Sequence, residues 1–541
     1  MPRRAILTVA IFAIAISSFA QHPSFDPRYH TVSQVIEAIT ALADTYSTYC
    51  VIESLGYSGV DSITIWGVKI TENPHLEQNK TVVEIHGGMH GDEPAGVEVC
   101  MWMIRDLLHR LHSGDSIART WWEELEIWII PQMNPDGRVM CLDSGYIDWR
   151  KTKRDLNFNG IYELHIDGVD PNRNWDYMWD EYVAPTLEFE KGPYPFSEQC
   201  VITMRDFYIR KRPVFAVDFH SPCSTGGNKM WFSWFFNEGE HYGHGPDAIN
   251  NWLEIRTEYA NATLDEEGNT YARGMSYHTT PKLQTWTYFH LGICSIVLEI
   301  TNQRFWEGEI IDTISARVGR GTYTLLDRAL RQMLITHVVD TSSGEPITDA
   351  IVNIAELQHP YFPPRTVDPV HGTNRRLLRE GYYTVDVSAT GYHPKTLDSV
   401  YVSSGPPTEL TVALRRDLSI AETDLPHEFA IRAYPNPFNS ALTISIEGVG
   451  AGLAPASIEI YDVSGRRVAC LGSARQPDGT VGARHASPAT GRIHASPTTY
   501  EFTWQPSPSL PSGVYLVRAR FDSAQRPGGG RAAAKRVVYL K

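Results

Sequence analysis

The sequence predicts an α/β body built on a mixed, mainly parallel sheet flanked by helices, followed by two small all-β sandwich domains. Three observations carry this prediction. Between residues 28 and 331, short and nearly continuous apolar runs alternate with amphipathic segments, the pattern of an α/β layer architecture. From residue 332 onward, β-type segments separated by turn residues recur roughly every ten residues with no helical pattern. The length of 541 residues also exceeds what one domain holds at roughly 150 residues each.

The N-terminus carries Arg3-Arg4, an apolar run from Ala5 to Ala15, and Ser18-Phe19-Ala20 before Gln21. This is the layout of a secretory signal peptide over residues 1–20, and the run is shorter than the ~20 residues that span a bilayer. No second apolar stretch approaches spanning length, so no transmembrane helix is expected in the mature chain. In the body, Thr81–Ile85, Leu125–Ile130, Val214–Phe219 and Ile293–Ile300 are apolar throughout or nearly so, as expected of strands covered on both faces. From Pro94 to His112, Val97, Met101, Ile104, Leu108 and Leu111 recur at spacings of three and four, which predicts an amphipathic helix. Turn signals such as Ser343-Gly344-Glu345-Pro346, Glu380-Gly381 and Ser404-Gly405-Pro406-Pro407 divide the first sandwich, 332–415. A linker is expected at 416–433. The last segment, 434–541, is interrupted at 473–497, where His485-Ala-Ser-Pro488 recurs as His494-Ala-Ser-Pro497, a low-complexity insertion.

Charge separates the tail from the rest. Lys+Arg minus Asp+Glu is 48 − 63 = −15 for the chain, whereas 12 basic and 6 acidic residues from Tyr434 onward give +6 and leave −21 for residues 1–433. A net negative body repels phosphate backbones, which excludes nucleic acid as the expected partner. Seven cysteines without a C-x-x-C pair exclude a cysteine-type zinc cluster and a thioredoxin motif. Most of them are expected to be buried apolar residues.

The chemistry centres on His86-Gly-Gly-Met-His90-Gly-Asp-Glu93. An H-x-x-E on a loop after a strand aims an imidazole and a carboxylate at one point, and zinc accepts both. Alone, such a motif is more often an incidental surface pair. A catalytic zinc takes three protein ligands and keeps one position open, and His220, closing the run Val214–Phe219, is placed to be the third. Glu299, inside the apolar run Ser295–Ile300, is a carboxylate where burial is costly unless it is paired or functional. It reads either as a structural ion pair or as a general base and acid.

Taken together, the residues resemble the zinc carboxypeptidases related to carboxypeptidase A. The resemblance is an ordered series over residues 28–331: His90-Gly-Asp-Glu93, Pro131-Gln-Met-Asn-Pro-Asp-Gly137, Trp149-Arg150 through Arg154, Asp170-Pro-Asn172-Arg173-Asn174-Trp175, Phe219-His220-Ser221, Tyr277 before Trp286, and Leu298-Glu299. It implies the zinc carboxypeptidase fold, one zinc held by His90, Glu93 and His220, and Glu299 as general base. It implies that Arg150 stabilises the oxyanion, while Asn172, Arg173 and Tyr277 dock the substrate's terminal carboxylate. The position two before Trp286, which helps set side-chain preference in the family, is Gln284. A neutral, polar C-terminal side chain is therefore expected. Asp92 stands where digestive members carry arginine, so an outer subsite is expected to differ.

Asp155-Leu-Asn157-Phe-Asn159-Gly160 is similar to the start of a calcium loop. It lacks the expected Glu at the twelfth position, where Ile166 stands, and an Asx-rich turn is the competing reading. Residues 332–415 resemble the transthyretin-like sandwich that follows the catalytic domain of regulatory carboxypeptidases. Tyr434-Pro-Asn-Pro-Phe-Asn439, Ile460-Tyr-Asp-Val-Ser-Gly-Arg466, Gly513-Val-Tyr515 and Lys535–Lys541 resemble the C-terminal sorting domain of type IX secretion substrates. That resemblance implies recognition by type IX machinery and passage through the periplasm to the outer surface or exterior of a Gram-negative bacterium. The expected function is a secreted zinc metallocarboxypeptidase acting on peptide and protein C-termini. Two other readings stand beside it: a cell-wall γ-D-glutamyl-diamino acid peptidase on the same fold, and a catalytically inert surface binding protein.

Overall fold

The computed structural model describes residues 26–221, 228–238, 241–244, 247–277, 280–359, 362–417, 430–434, 440–449, 455–462, 467–473, 498–506, 510, 513–521 and 531–539. The expected signal peptide, most of the linker and all but the first residue of the insertion at 473–497 lie outside these residues. The chain divides into two compact units, residues 1–415 and 416–541.

The first unit is built on nine strands: β1 (Cys50–Tyr57), β2 (Thr64–Ile70), β3 (Thr81–His86), β4 (Leu125–Ile130), β5 (Phe215–His220), β6 (Lys229–Glu238), β7 (His241–His244), β8 (Ala272–Tyr277) and β9 (Cys294–Glu299). Their order is β1-β2-β4-β3-β5-β9-β6-β7, with β8 beside β6. The centre, β4-β3-β5-β9, is parallel, and antiparallel strands extend it on both sides. The apolar runs predicted as strands are β3, β4, β5 and β9, buried along almost their whole length. Burial of both faces is what removes the usual alternation from such strands.

Among the described residues, eight α-helices accompany the sheet: α1 (Val32–Thr45), α2 (Ala95–His112), α3 (Ser116–Glu124), α4 (Pro135–Arg138), α5 (Gln199–Lys211), α6 (Leu253–Ala262), α7 (Leu283–Leu291) and α8 (Ile310–Arg328). The stripe Val97, Met101, Ile104, Leu108 and Leu111 of α2 is buried in a core shared with Val318 and Leu325 of α8. On the other side, Met204 and Phe207 of α5 pack with Leu283 and Trp286 of α7 against Val82, Trp128 and Ala216 of the sheet. Glycine at the end of α7 follows the usual asymmetry of helix ends: Gly292 takes φ 73° and its N–H bonds back to Tyr288.

Residues 332–415 form two three-stranded sheets around one core. One holds β10 (Met333–Asp340), β12 (Thr373–Leu377) and β15 (Thr408–Leu414); the other holds β11 (Ile351–Ile354), β13 (Gly381–Ser388) and β14 (Lys395–Val402). This sandwich, read from sequence as a separate segment, shares its compact unit with the body. The physical link is both ionic and apolar: Asp247 of the body receives Arg365 and Arg376 of the sandwich, and Met333, Ile335 and Leu377 join the body's core. The second unit holds β-strands as the regular structure of its described residues. It pairs β16 (Ala430–Tyr434), β17 (Leu442–Val449) and β20 (Thr498–Trp504) in one sheet. A second sheet holds β18 (Pro455–Asp462), β19 (Arg467–Ser473), β21 (Gly513–Phe521) and β22 (Arg531–Tyr539).

Among the described residues, Cys50, Cys100, Cys141, Cys200 and Cys294 are free and buried. Burial pushes the thiols of Cys50 and Cys141 up to about 12, as expected of inert core cysteines. No described helix is long and apolar enough to cross a membrane.

Candidate metal centre

The central parallel strands deliver their last residues to one edge of the sheet. His86 ends β3, His220 ends β5 and Glu299 ends β9; His220 and Glu299 are Cα partners in the ladder, and His86 is the partner of Asp218. The loop leaving β3 then turns through Gly87 and Gly88 to place His90 and Glu93 beside them. Small residues are required along this loop. A Cβ on Gly91 would lie 2.2 Å from the Gly137 carbonyl oxygen and 2.6 Å from that of Trp149.

His90, Glu93 and His220 form the one group of three metal-ligating side chains found among the described residues, with one donor atom of each within 4.8 Å of the others. All three are buried. The Nδ1 atoms of His90 and His220 face each other at 3.0 Å, and the Glu93 carboxylate lies 2.9 Å from the first and 2.8 Å from the second. The far ring nitrogens are taken by carboxylates, His90 Nε2 by Asp170 at 3.2 Å and His220 Nε2 by Asp218 at 2.7 Å. With each Nε2–H donated to its carboxylate, two Nδ1 lone pairs and a carboxylate converge on one point, an arrangement that a cation satisfies. Nitrogen and oxygen donors oriented by outer carboxylates fit zinc.

The protonation pattern agrees with this. Burial opposes charge on Glu93, but His90 and His220 hold its carboxyl well below the usual range. Burial also opposes charge on His220, yet Asp218 and Glu93 raise its pKa well above the ordinary value. Both shifts describe a pocket that favours positive charge between the donors.

The remaining site residues surround this point. Glu299 has one buried carboxylate oxygen, Oε2, with no hydrogen-bond partner. Burial is the main cause that raises its pKa to about 7, with His220 opposing and Glu93 assisting. Arg150 donates to Glu93 at 2.8 Å and to Asp170 at 3.2 Å. Asn172 accepts the Leu283 N–H at the start of α7, at 3.1 Å. Arg173 donates to Tyr182 Oη at 3.1 Å, and its guanidinium lies 5.0 Å from the Phe189 ring centre. Gln284 is buried in α7, its Oε1 without a partner among the described residues. Tyr277 is the last residue of β8, and its side chain lies outside the described residues. Arg154 pairs with Glu198 at 2.8 Å. Asp92, buried at the middle of the H-x-x-E, pairs with Arg304 at 2.9 Å. In the loop 155–160, Asp155 accepts the N–H groups of Asn159 and Gly160, and the Asn157 and Asn159 amides donate to Glu163.

Sequence reasoning assigned no role to four residues that the structure brings to the site. Asp170 binds His90, Arg150 and the Asn172 N–H. Asp218 lies two residues before His220 on β5, so both side chains share one face of the strand. Behind Asp218 stands His86, whose Nε2 lies 3.1 Å from Asp218 while its Nδ1 is 2.9 Å from Glu84. A period of two on β5 was the available signal for Asp218. The same period of two on β3 marks Glu84 as a partner of His86, whereas Asp218 reaches His86 from the neighbouring strand.

Comparison with known proteins places the chain in a family. Residues 35–315 match the family model described as Zinc carboxypeptidase, and residues 432–477 match the Secretion system C-terminal sorting domain. The chain is 30% identical over 160 residues to a zinc carboxypeptidase of Saccharothrix mutabilis subsp. capreolus, covering 29% of this chain and 34% of that protein. It is 25% identical over 260 residues to carboxypeptidase B of Astacus astacus, covering 46% of this chain and 77% of that protein. The carboxypeptidase A structure from Helicoverpa armigera aligns with a TM-score of 0.46 at 18% identity, covering 57% of this chain and 76% of that one. The chain thus spans about a third of the length of the first relative and about three quarters of the second. Because the family model extends over more than half of the 541 residues, the chain belongs to the zinc carboxypeptidase family.

Proposed function

We propose that this chain is a secreted zinc metallocarboxypeptidase that hydrolyses the C-terminal peptide bond of peptides and proteins. The observation that carries the reading is the convergence of His90 Nδ1, His220 Nδ1 and the Glu93 carboxylate beside Glu299, whose Oε2 has no partner. Zinc bound by these three residues supplies a Lewis acid that lowers the pKa of water and polarises a carbonyl oxygen.

The protein groups do the rest. Arg173 and Asn172 dock the substrate's terminal carboxylate, since a guanidinium fork and an amide match its two oxygens, with Tyr277 closing over it. The Leu283 N–H occupies Asn172 Oδ1, which leaves the amide nitrogen as the end that faces an anion. Glu299 takes a proton from the attacking water as the water oxygen bonds to the scissile carbonyl carbon. It then hands that proton to the leaving nitrogen as the C–N bond breaks, releasing a free amino acid and the shortened peptide. Arg150, oriented by Glu93 and Asp170, stabilises the negative charge that develops on the carbonyl oxygen, the contribution that is usually largest in acyl transfer. The sorting-domain match at 432–477 supports delivery through type IX machinery to the cell surface or exterior.

The test is hydrolysis of N-blocked peptides by the zinc-loaded full chain, with release of single C-terminal residues read by amino-acid analysis. Cleavage that a chelator stops and zinc restores supports the reading. Absence of cleavage at stoichiometric zinc refutes it in favour of a binding protein.

A further inference from the structure

A cavity of about 300 Å³ lies where the sandwich meets the body, and none of the residues around the metal centre lines it. Its charged lining is Arg365 and Arg376 of the sandwich and Asp247 of the body, all three buried. Two guanidiniums share one carboxylate there. Arg376 Nη2 donates to Asp247 Oδ1, Arg365 Nη2 lies 3.5 Å from Oδ2, and the Tyr288 hydroxyl donates to that same oxygen at 3.1 Å. Arg365 Nη1 donates to the Phe289 carbonyl at 2.7 Å. These contacts leave Nε and Nη1 of Arg376, and Nε of Arg365, without a hydrogen-bond partner among the described residues.

Asp247 is the one acid among the described lining residues, so it and the two arginines sum to one positive charge. A buried charge is costly unless it is paired. Asp247 has nothing more to give, because both of its oxygens are already occupied. The surplus charge and the unused N–H donors suit an anion, and a guanidinium's donors match the two oxygens of a carboxylate. The walls decide what the carboxylate is attached to. Ile354 and Leu357 supply an apolar side to the cavity, which favours a ligand with an apolar body over a bare inorganic ion. A volume of about 300 Å³ stands at the small end of ligand sites, which run from about 300 to 1,000 Å³.

We propose that this cavity binds a small organic monocarboxylate, its carboxylate on Arg365 and Arg376 and its apolar body against Ile354 and Leu357. Such a ligand joins sandwich and body at a point separate from the metal centre, and the proposal does not rest on the carboxypeptidase reading. The test uses the full chain carrying Arg173→Met, which removes the candidate carboxylate dock of the metal centre. Phenylacetate, its uncharged analogue phenylacetamide, acetate and inorganic phosphate are each titrated onto it by calorimetry. Phenylacetate should bind one per chain, roughly tenfold or more tighter than the other three, as loss of a hydrogen bond to a charged group implies for the amide. It should also raise Tm, as a ligand of the native state does. Arg376→Gln in the same background leaves Asp247 paired with Arg365 and should weaken phenylacetate by roughly tenfold. Leu357→Trp fills the cavity without altering an ion pair and should weaken it likewise, which keeps the test decisive if the arginine variant fails to fold. Absence of phenylacetate binding, binding no tighter than that of phenylacetamide or phosphate, or binding that survives Leu357→Trp overturns the proposal. Each of those results leaves the hydrolase assay, run on the wild-type chain, to be judged by itself.

Discussion

His220 and Glu299 are Cα partners across the parallel strands β5 and β9, each the last residue of its strand. The register of the sheet therefore sets the separation between one candidate metal ligand and the candidate base. Groups built on strand ends are held more firmly than groups on loops, and open α/β sheets place their sites at this carboxyl edge. His90 and Glu93, in contrast, come from a loop, and that loop is held from behind by glycine contacts and by the Gly91 N–H on the Arg150 carbonyl at 3.0 Å.

Metal removal should loosen the fold as well as stop the reaction. Without a cation, the two Nδ1 atoms face each other at 3.0 Å beside a buried carboxylate. A ligand present at a thousand times its Kd stabilises the native state by about 4 kcal/mol. Thermal melts should show a Tm that falls on chelation and returns with zinc. An unchanged Tm at verified zinc loss would count against the site.

The buried chain His220, Asp218, His86, Glu84 should contribute to stability in a pH-dependent way. Burial opposes charge on His86, but Glu84 and Asp218 raise its pKa to about 10, well above the ~6.5 of an unfolded histidine. A raised folded-state pKa means that the native state holds the proton longer. The contribution is complete below about 6.5 and is lost as pH rises toward 10. Urea midpoints of the zinc-free protein should fall between pH 6.5 and 10 for the wild type and fall less for His86→Leu. At pH 6.5 that variant should be less stable by about 1–3 kcal/mol, because Asp218 and Glu84, though still held by His220 and Tyr208, each lose one buried charged partner. Equal pH slopes for the two proteins would contradict the assignment.

Gly91→Ala tests the loop. The added methyl would meet two backbone carbonyls, those of Gly137 and Trp149, which cannot rotate away as a side chain can. A loss of about 1–3 kcal/mol in stability is expected from such overpacking, together with weaker zinc binding measured by competition with a chromogenic chelator. Wild-type zinc affinity in this variant would show that the loop does not need its tight seat.

Much of the body was legible in the sequence because its strands are buried on both faces and read as plain apolar runs. Of the motif residues, His90, Glu93 and His220 converge, Arg150 reaches Glu93, and Glu299 ends the strand beside His220. What escaped is non-local. Asp218 and His86 meet only because β3 and β5 are in register, and Leu283 reaches Asn172 only because α7 starts against it. The union of sandwich and body includes Asp247 meeting Arg365 and Arg376 from more than a hundred residues away, a pairing that turn signals do not encode.

The most direct test is the Glu299→Gln variant, which replaces the base with a group of nearly the same shape that cannot take a proton. Zinc content should remain one per chain, since the ligands are untouched. Positioned general acid–base catalysis is typically worth about 10²–10⁴-fold, so kcat should fall by that factor with KM little changed. A variant that keeps full zinc and near-wild-type kcat would contradict Glu299 as the base, and with it the mechanism proposed for this site.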